Sequence, residues 1–431
     1  MEFKNLNSLI CETKYIKNMI IFFILALTFF SNSKTVLGQE RDTITDFYEY
    51  ANKRWLDNTT IPENASVVNN WGILWNKIVD KSIEILSSES KYDLDENYQY
   101  ILTQLRSFYK STAEHSYNER KRVYLVQKNY PLLFGVLFSK ITIPYNKEER
   151  IKEIIKYLTF AYREKIKNSN KIGENTTAFF ISKLDEMQFE IGAPGISNIP
   201  VIPLLSADSL EINIRLSEEY QLKIKSSKSN WESPPFETDC RYNIYDNDVK
   251  IYAGTLYAYS FSNEDDFPMI FATLGRTIAH EMTHAFDTYG KKFNKNDWKN
   301  TTHSLIRQFN QYAIQEEYFV NGKKTMQENF ADLGGFEVSL LALKLYMNDS
   351  FPQYSVEEKS TAIRRYFLSY AQFWKEKSTP EFEISSLKRI HAPQKFRAIG
   401  PLYNQDEFYE IYLIDINSNY YIHENLRNSI W

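Results

Sequence analysis

Two of the six histidines in the chain stand four residues apart in His280-Glu281-Met282-Thr283-His284. On a helix, residues at that spacing share one face a turn apart, so both imidazoles can reach a single metal ion. Glu281 sits about 100° round the helix from His280, where its carboxylate meets a metal-activated water without ligating the metal. That is the position of a general base. A catalytic zinc needs a third protein ligand and one open position. Glu328-Asn329-Phe330-Ala331-Asp332 supplies the ligand in Glu328, and one turn later Asp332 can accept the ring N–H of a ligating histidine, fixing its tautomer. By itself the Glu328/Asp332 pair is more often a solvated helix face than a metal site. Joined to the histidine pair, it completes a site for one zinc ion per chain.

These side chains need helices to hold them. Leu274 to Phe286 contains few helix breakers, and Gly334-Gly335, just past Asp332, permit close helix packing. Glycine and proline are scarce, 13 each in 431 residues, which favours long helices over a turn-dense all-β architecture. A net charge of −4 without a block of Lys or Arg leaves no electrostatic footprint for nucleic acid. Helical spacing of apolar residues recurs over Tyr98 to Tyr109 and Glu149 to Asn168, and Asp46 to Trp55 reads as an aromatic helix. Gly192-Ala193-Pro194-Gly195 marks a turn or linker; beyond it, Glu219 to Lys225 and Val249 to Ala253 alternate as half-buried strands do. Helices return from Asp266, and Ser355-Val356-Glu357-Glu358 is a capping box. The expected class is a helix-rich α+β fold, with a helical region over 39–195 and the zinc site within 196–431.

At the N-terminus, Lys14 and Lys17 precede the apolar run Met19 to Phe30, which is shorter than the roughly 20 residues that span a bilayer. With the small residues Val36 and Gly38 following, residues 1–38 read as a secretory signal peptide, and an uncleaved signal anchor is the alternative. Either way the remainder is expected outside the cytoplasm, secreted or membrane-held only through that segment. Cleavage removes Cys11 and leaves Cys240 as a packed hydrophobe.

Beyond the zinc motif, the chain resembles the neprilysin and endothelin-converting-enzyme family of zinc metalloendopeptidases. The matching segments are Asp46 to Ala51, Lys183 to Met187 with Ile191 to Pro194, Ala253-Gly254, His280 to Asp287 and Glu328 to Gly335. Further matches are His391-Ala392-Pro393, Phe396 to Gly400, Asn404, Glu407-Phe408 and Trp431. The resemblance implies a thermolysin-like catalytic domain over 196–431 acting on peptide substrates, with His280, His284 and Glu328 as zinc ligands. It also implies Glu281 as catalytic base, Asp332 as partner of His280, His391 as donor to the developing oxyanion and Arg397 as holder of a substrate carbonyl. Asn243, in Asn243-Ile244-Tyr245, matches an asparagine that clamps the substrate backbone, although the loop to Ala253-Gly254 is shorter here.

The chain also departs from the family. A helical domain that roofs the active site is largely absent, its flanks joined between Pro144 and Glu149. Ile44, Asn52 and Lys375 stand where cysteines are usual, and Arg389 stands where an aspartate usually orients the histidine matching His391. One wall of the pocket for the residue after the scissile bond, apolar in the family, carries Arg276, Thr277 and Thr255. Arg276 either faces that pocket and favours acidic substrates, or it reaches solvent or pairs with Glu264, Asp265 or Asp266. The expected function is a secreted zinc endopeptidase cutting oligopeptides and unfolded polypeptides. A zinc-stabilised peptide-binding protein with little turnover is the alternative, and nothing in the sequence bears on oligomeric state.

Overall fold

The computed structural model describes residues 43–226, 231, 233–259, 266–293 and 295–431. The signal segment, Cys11, Glu264 and Asp265 lie outside the described residues. The first half comprises α1 (Phe47–Asn58), strand β1 (Val67–Asn69), α2 (Asn70–Ser87), α3 (Glu96–Ser111), α4 (Glu119–Asn129), α5 (Pro131–Thr142), α6 (Tyr145–Asn168) and α7 (Glu174–Asp185). Then follow β2 (Gln188–Gly192), α8 (Leu210–Ser226), β3 (Cys240–Asn243), β4 (Asp248–Tyr252), α9 (Ala253–Ala258), α10 (Phe267–Ile270), α11 (Arg276–Phe293) and α12 (Lys295–Asn310). The chain ends with β5 (Ala313–Gln315), β6 (Tyr318–Phe319), α13 (Met326–Ser350), α14 (Val356–Phe373), β7 (Glu376–Ser378), α15 (Pro380–Ser386), α16 (Gln394–Leu402) and α17 (Asp406–Ile411). The fold is the expected helix-rich α+β class, and no described helix is long and apolar enough to cross a membrane.

One stretch expected as a strand is helical. Glu219 to Lys225 lies in α8, where Leu210, Asn213, Ser217 and Tyr220 are buried at spacings of three and four. The alternation of Tyr220, Leu222 and Ile224 spans too short a window, and Leu222 points to solvent. The second strand exists as β4, but it is buried along its whole length rather than on one face. It is the centre of a three-stranded sheet, parallel to β2 (Gln188 opposite Asp248) and antiparallel to the edge strand β3 (Cys240 opposite Ile251). Lys250 and Asp248, both buried, therefore pair with each other, and Lys250 also reaches Glu190 on β2 at 3.4 Å. Gly192 ends β2 with φ +85, a left-handed conformation that L side chains rarely adopt.

Two helix contacts position the site. At the crossing of α11 and α13, a Cβ on Gly335 would stand 2.6 Å from the His280 backbone nitrogen, and one on Gly334 would stand 2.8 Å from Thr283 Cγ2. Only glycine lets the two helices come this close. From the other side, the buried Tyr162 of α6 donates its hydroxyl to Ala279 O at 2.5 Å and lies 2.6 Å from Thr283 Oγ1. A helix of the first half is thus bonded directly to α11 at the residues that precede each of its two histidines.

The chain is also stitched between its distant parts where the family's cysteines are absent. Asn52, buried on α1, donates to Ala371 O of α14 at 3.2 Å, and Ile44 N and O bond Leu413 O and Asp415 N. Phe47 N donates to the Tyr403 hydroxyl, 356 positions away, and the Tyr48 hydroxyl donates to Trp374 O. Lys375 stacks over Trp55 at 5.7 Å, a modest cation–π contact. Directed hydrogen bonds thus join these distant segments in addition to packing.

Candidate zinc site

A π turn over Phe271–Gly275 leads into α11, which presents His280, Glu281 and His284. Such turns inside helices occur often at functional sites. Glu328 lies in the first turn of α13, and Asp332 one turn on is fully buried. His280, His284 and Glu328 each bring a ligand atom within 4.8 Å of the others. Three imidazole nitrogens surround Glu328 Oε2: His391 Nε2 at 3.0 Å, His280 Nε2 at 3.3 Å and His284 Nε2 at 3.8 Å. That buried oxygen receives no well-directed hydrogen bond. Lone pairs converging with no proton directed between them are what a bound cation satisfies, and two imidazoles with one carboxylate are a donor set suited to zinc.

Carboxylates orient both histidines. His280 Nδ1 lies 2.8 Å from Asp332 Oδ1, and His284 Nδ1 lies 2.7 Å from Asp287 Oδ2. Asp287 holds the proton on His284 Nδ1, Asp332 stands close enough to favour the same tautomer in His280, and either arrangement leaves the Nε2 lone pair for a metal. Asp287 was not read from the sequence as an orienting residue, although its place three residues after His284 on one helix face is the signal that could have found it. Burial opposes protonation of both rings. It is outweighed in His280 by Asp332, and in His284 by the Asp287 hydrogen bond and Glu281, which push His284 up to about 9. Asp332 and Glu328 move the other way: burial would raise them, but Arg397 and His280 on Asp332, and His280 and His391 on Glu328, hold both well below the usual carboxylate range.

These shifts set the pH dependence of metal binding. A histidine protonated in the metal-free protein must release its proton to bind zinc, so affinity should rise with pH through the neutral range, by about 10-fold per unit for each proton displaced, and level off near pH 9, where His284 titrates. The same protonation stabilises the metal-free fold fully below the ordinary histidine value and is lost as pH rises through about 9. Competition with a chelator between pH 6 and 9 measures the slope; flat affinity would remove the histidines from the site.

Glu281 occupies the base position, its Oε1 4.0 Å from His280 Nε2 and its Oε2 accepting from Tyr242 N of β3 at 3.0 Å. Burial raises its pKa, which His280 and His284 partly offset. Arg397 makes a bidentate pair with Asp332 at 2.7 and 2.8 Å and lies over Trp374 at 4.3 Å. The resemblance assigns Arg397 to a substrate carbonyl, yet two of its three nitrogens are committed to Asp332. It borders the cleft as a buttress of the residue that orients His280.

Asn243, Arg276 and Arg389 take the following places. Asn243 does not face the cleft: its side chain closes its own turn, donating to Asp246 Oδ2 and accepting from Tyr245 N, both at 2.9 Å. Asn243 ends β3 at the turn, and Thr238, Asp239 and Cys240 border the cleft. Arg276 neither reaches solvent nor pairs with Asp266, which is bound by Arg365. Arg276 is 2 % exposed, with Nη1 3.8 Å from Asp332 Oδ1. Arg389, two residues before His391, stacks over Phe382 at 5.0 Å. Cys240 is buried and free, as expected, and lies at the cleft edge.

Helices carrying two histidines and a glutamate toward one point, beside a small mixed sheet whose edge strand reaches the base, define the zincin class of metallopeptidase. Two models of one family, Peptidase family M13, match residues 44–122 and 240–427, together more than half of the sequence. The chain belongs to this peptidase family. It is 26% identical over 322 residues to endothelin-converting enzyme 1 of Rattus norvegicus, covering 68% of this chain and 42% of that protein. It is 24% identical to the neutral endopeptidase of Lactococcus lactis subsp. lactis, covering 75% and 53%. Among solved structures, it superimposes on the partial open state of Mycobacterium tuberculosis zinc metalloprotease 1 with a TM-score of 0.59 at 25% identity, covering 74% and 54%. The chain thus spans about half the length of the relatives it matches. Zinc is the cofactor that the family implies, and the donor set fits it.

Proposed function

We propose that the chain is a zinc-dependent endopeptidase, exported by its N-terminal segment, that hydrolyses peptide bonds in oligopeptides and unfolded polypeptides. The observation that carries this reading is the convergence of His280, His284 and Glu328, each oriented or crowded by a partner, with Glu281 held beside them by the Tyr242 backbone. Bound among these three, zinc supplies Lewis-acid polarisation of the scissile carbonyl and acidifies water. Glu281 takes the proton of the attacking water on a carboxylate oxygen and delivers it to the departing amine nitrogen. Its raised pKa suits both halves of that transfer. His391, at the cleft margin, donates to the carbonyl oxygen as negative charge develops there. The edge strand β3 offers backbone groups for an extended substrate to pair with.

α5 passes to α6 through only Ile143 and Pro144, the chain matches 42% of the length of the endothelin-converting enzyme, and a shortened roof at this junction, as the family resemblance implies, would admit larger flexible substrates. The second reading, a zinc-stabilised peptide binder, is favoured by Arg389, which brings a cation rather than a carboxylate to the segment leading to His391. Zinc-loaded protein, incubated with quenched peptides and an unfolded polypeptide, should yield internal fragments by mass spectrometry, and chelation should abolish them. Stoichiometric zinc with peptide retained uncut would favour the binder, and cleavage limited to short peptides would sink the wide range.

A further inference from the structure

The cleft beside the zinc site measures about 410 Å³ and has a cation built into its wall. Arg276, one turn before His280, is 2 % exposed, and its guanidinium lies over Trp374 at 4.6 Å and Phe373 at 5.0 Å. Its Nε and Nη2 are buried without a hydrogen-bond partner among the described residues. Asp332 faces only Nη1, at 3.8 Å, because it already takes both Arg397 nitrogens and His280 Nδ1 at 2.7 to 2.8 Å. The other carboxylates of the cleft are engaged elsewhere: Asp239 by Arg241 and Cys240 N, Glu376 by Asn69, and Glu281 by Tyr242 N. Two cations thus share the single carboxylate of Asp332, and the poorly served one lines the pocket.

Leaving charged donors buried and unmatched costs free energy that a ligand anion recovers. We propose that Arg276 makes this pocket a carboxylate subsite, taking either the side chain of an aspartate or glutamate just after the scissile bond or the terminal carboxylate of a peptide cut near its end. The guanidinium offers Nε and Nη2 as two adjacent donors, the fork that a carboxylate accepts in bidentate fashion. The aromatic rings hold that fork in place and exclude water. Thr255 and Thr277 line the same wall, their hydroxyls donating to Asp239 O and Thr273 O, so Arg276 is the group there with donors to spare.

The subsite rests on the peptidase reading, so its test has one arm with turnover and one without. A peptide series differing only after the cut (Asp, Glu, Leu, Phe), each as free acid and as C-terminal amide, is digested by the zinc-loaded chain. The acidic members should be preferred, and Arg276→Met should lower their kcat/KM about 10- to 100-fold relative to the leucine peptide. Arg276→Lys, which keeps the charge but loses the fork, should retain part of the preference. A preference confined to free acids would assign the terminal carboxylate, and one that survives amidation would assign the side chain. Calorimetric binding of the same peptides to zinc-loaded Glu281→Gln gives the order without cleavage. Absence of cleavage with the acidic order retained in binding would overturn the peptidase reading alone. Leucine and phenylalanine favoured in both arms, with Arg276→Met leaving the order unchanged, would overturn the subsite.

Discussion

Glu281→Gln is expected to lower kcat for peptide hydrolysis by about 10²- to 10⁴-fold while the protein still binds zinc. Glutamine keeps an oxygen that can accept from Tyr242 N, so the tie between α11 and β3 survives and the helix keeps its position. The amide cannot take a proton from water at neutral pH or return one to the leaving nitrogen. The loss should therefore fall in kcat, with KM little changed, since the substrate binds the same cleft. Steady-state kinetics with metal analysis on the same samples measures it. Turnover close to that of the parent chain would remove Glu281 from the chemistry.

Asp332→Ala should be the most damaging change to the fold near the site. It deletes a fully buried carboxylate and leaves Arg397 and Arg276, both buried, facing each other without an anion. Breaking a buried pair by removing one partner costs about 3 to 5 kcal/mol, and here two cations lose the same partner. Zinc affinity should fall about 10- to 100-fold as well, because His280 loses the carboxylate beside Nδ1. Urea denaturation of the metal-free chain separates the first effect from the second. The double variant Asp332→Ala/Arg397→Met should be less destabilised than the sum of its parts, since the two residues are coupled. Unaltered stability of metal-free Asp332→Ala would mean the carboxylate does not hold the two arginines in solution.

How much of this was legible depends on how far apart the cooperating residues lie. The histidine pair, its base and the Glu328/Asp332 pair each sit within one helix, where spacing alone fixes the shared face, so residue types at fixed offsets announced them. The capping box at Ser355 was readable for the same reason and is formed. The partners of Arg276 and Arg397 were not readable, because Asp332 lies 65 positions from Arg397 and sequence offers no distance between separate helices. The bonds of Asn243 to Asp246 and Tyr245 N were not readable either, because motif similarity does not record where a side chain turns. The helix mistaken for a strand at Glu219 to Lys225 shows the other limit: seven residues alternate by chance, and only the burial of Leu210, Asn213, Ser217 and Tyr220 fixes the longer period.

The bonds that join α1 to the far end of the chain have a consequence for the order of events during synthesis. Phe47 and Tyr48 are buried in the finished protein, yet Tyr403 and Trp374, which meet them, are made last. At about 5 to 20 residues per second, the 356 positions separating Phe47 from Tyr403 take roughly 20 to 70 s to emerge. Over that interval an aromatic helix has no surface to cover it. Closing so long a loop comes late and slowly, and a chaperone holding the nascent segment extended would keep its apolar face from aggregating until α14 arrives.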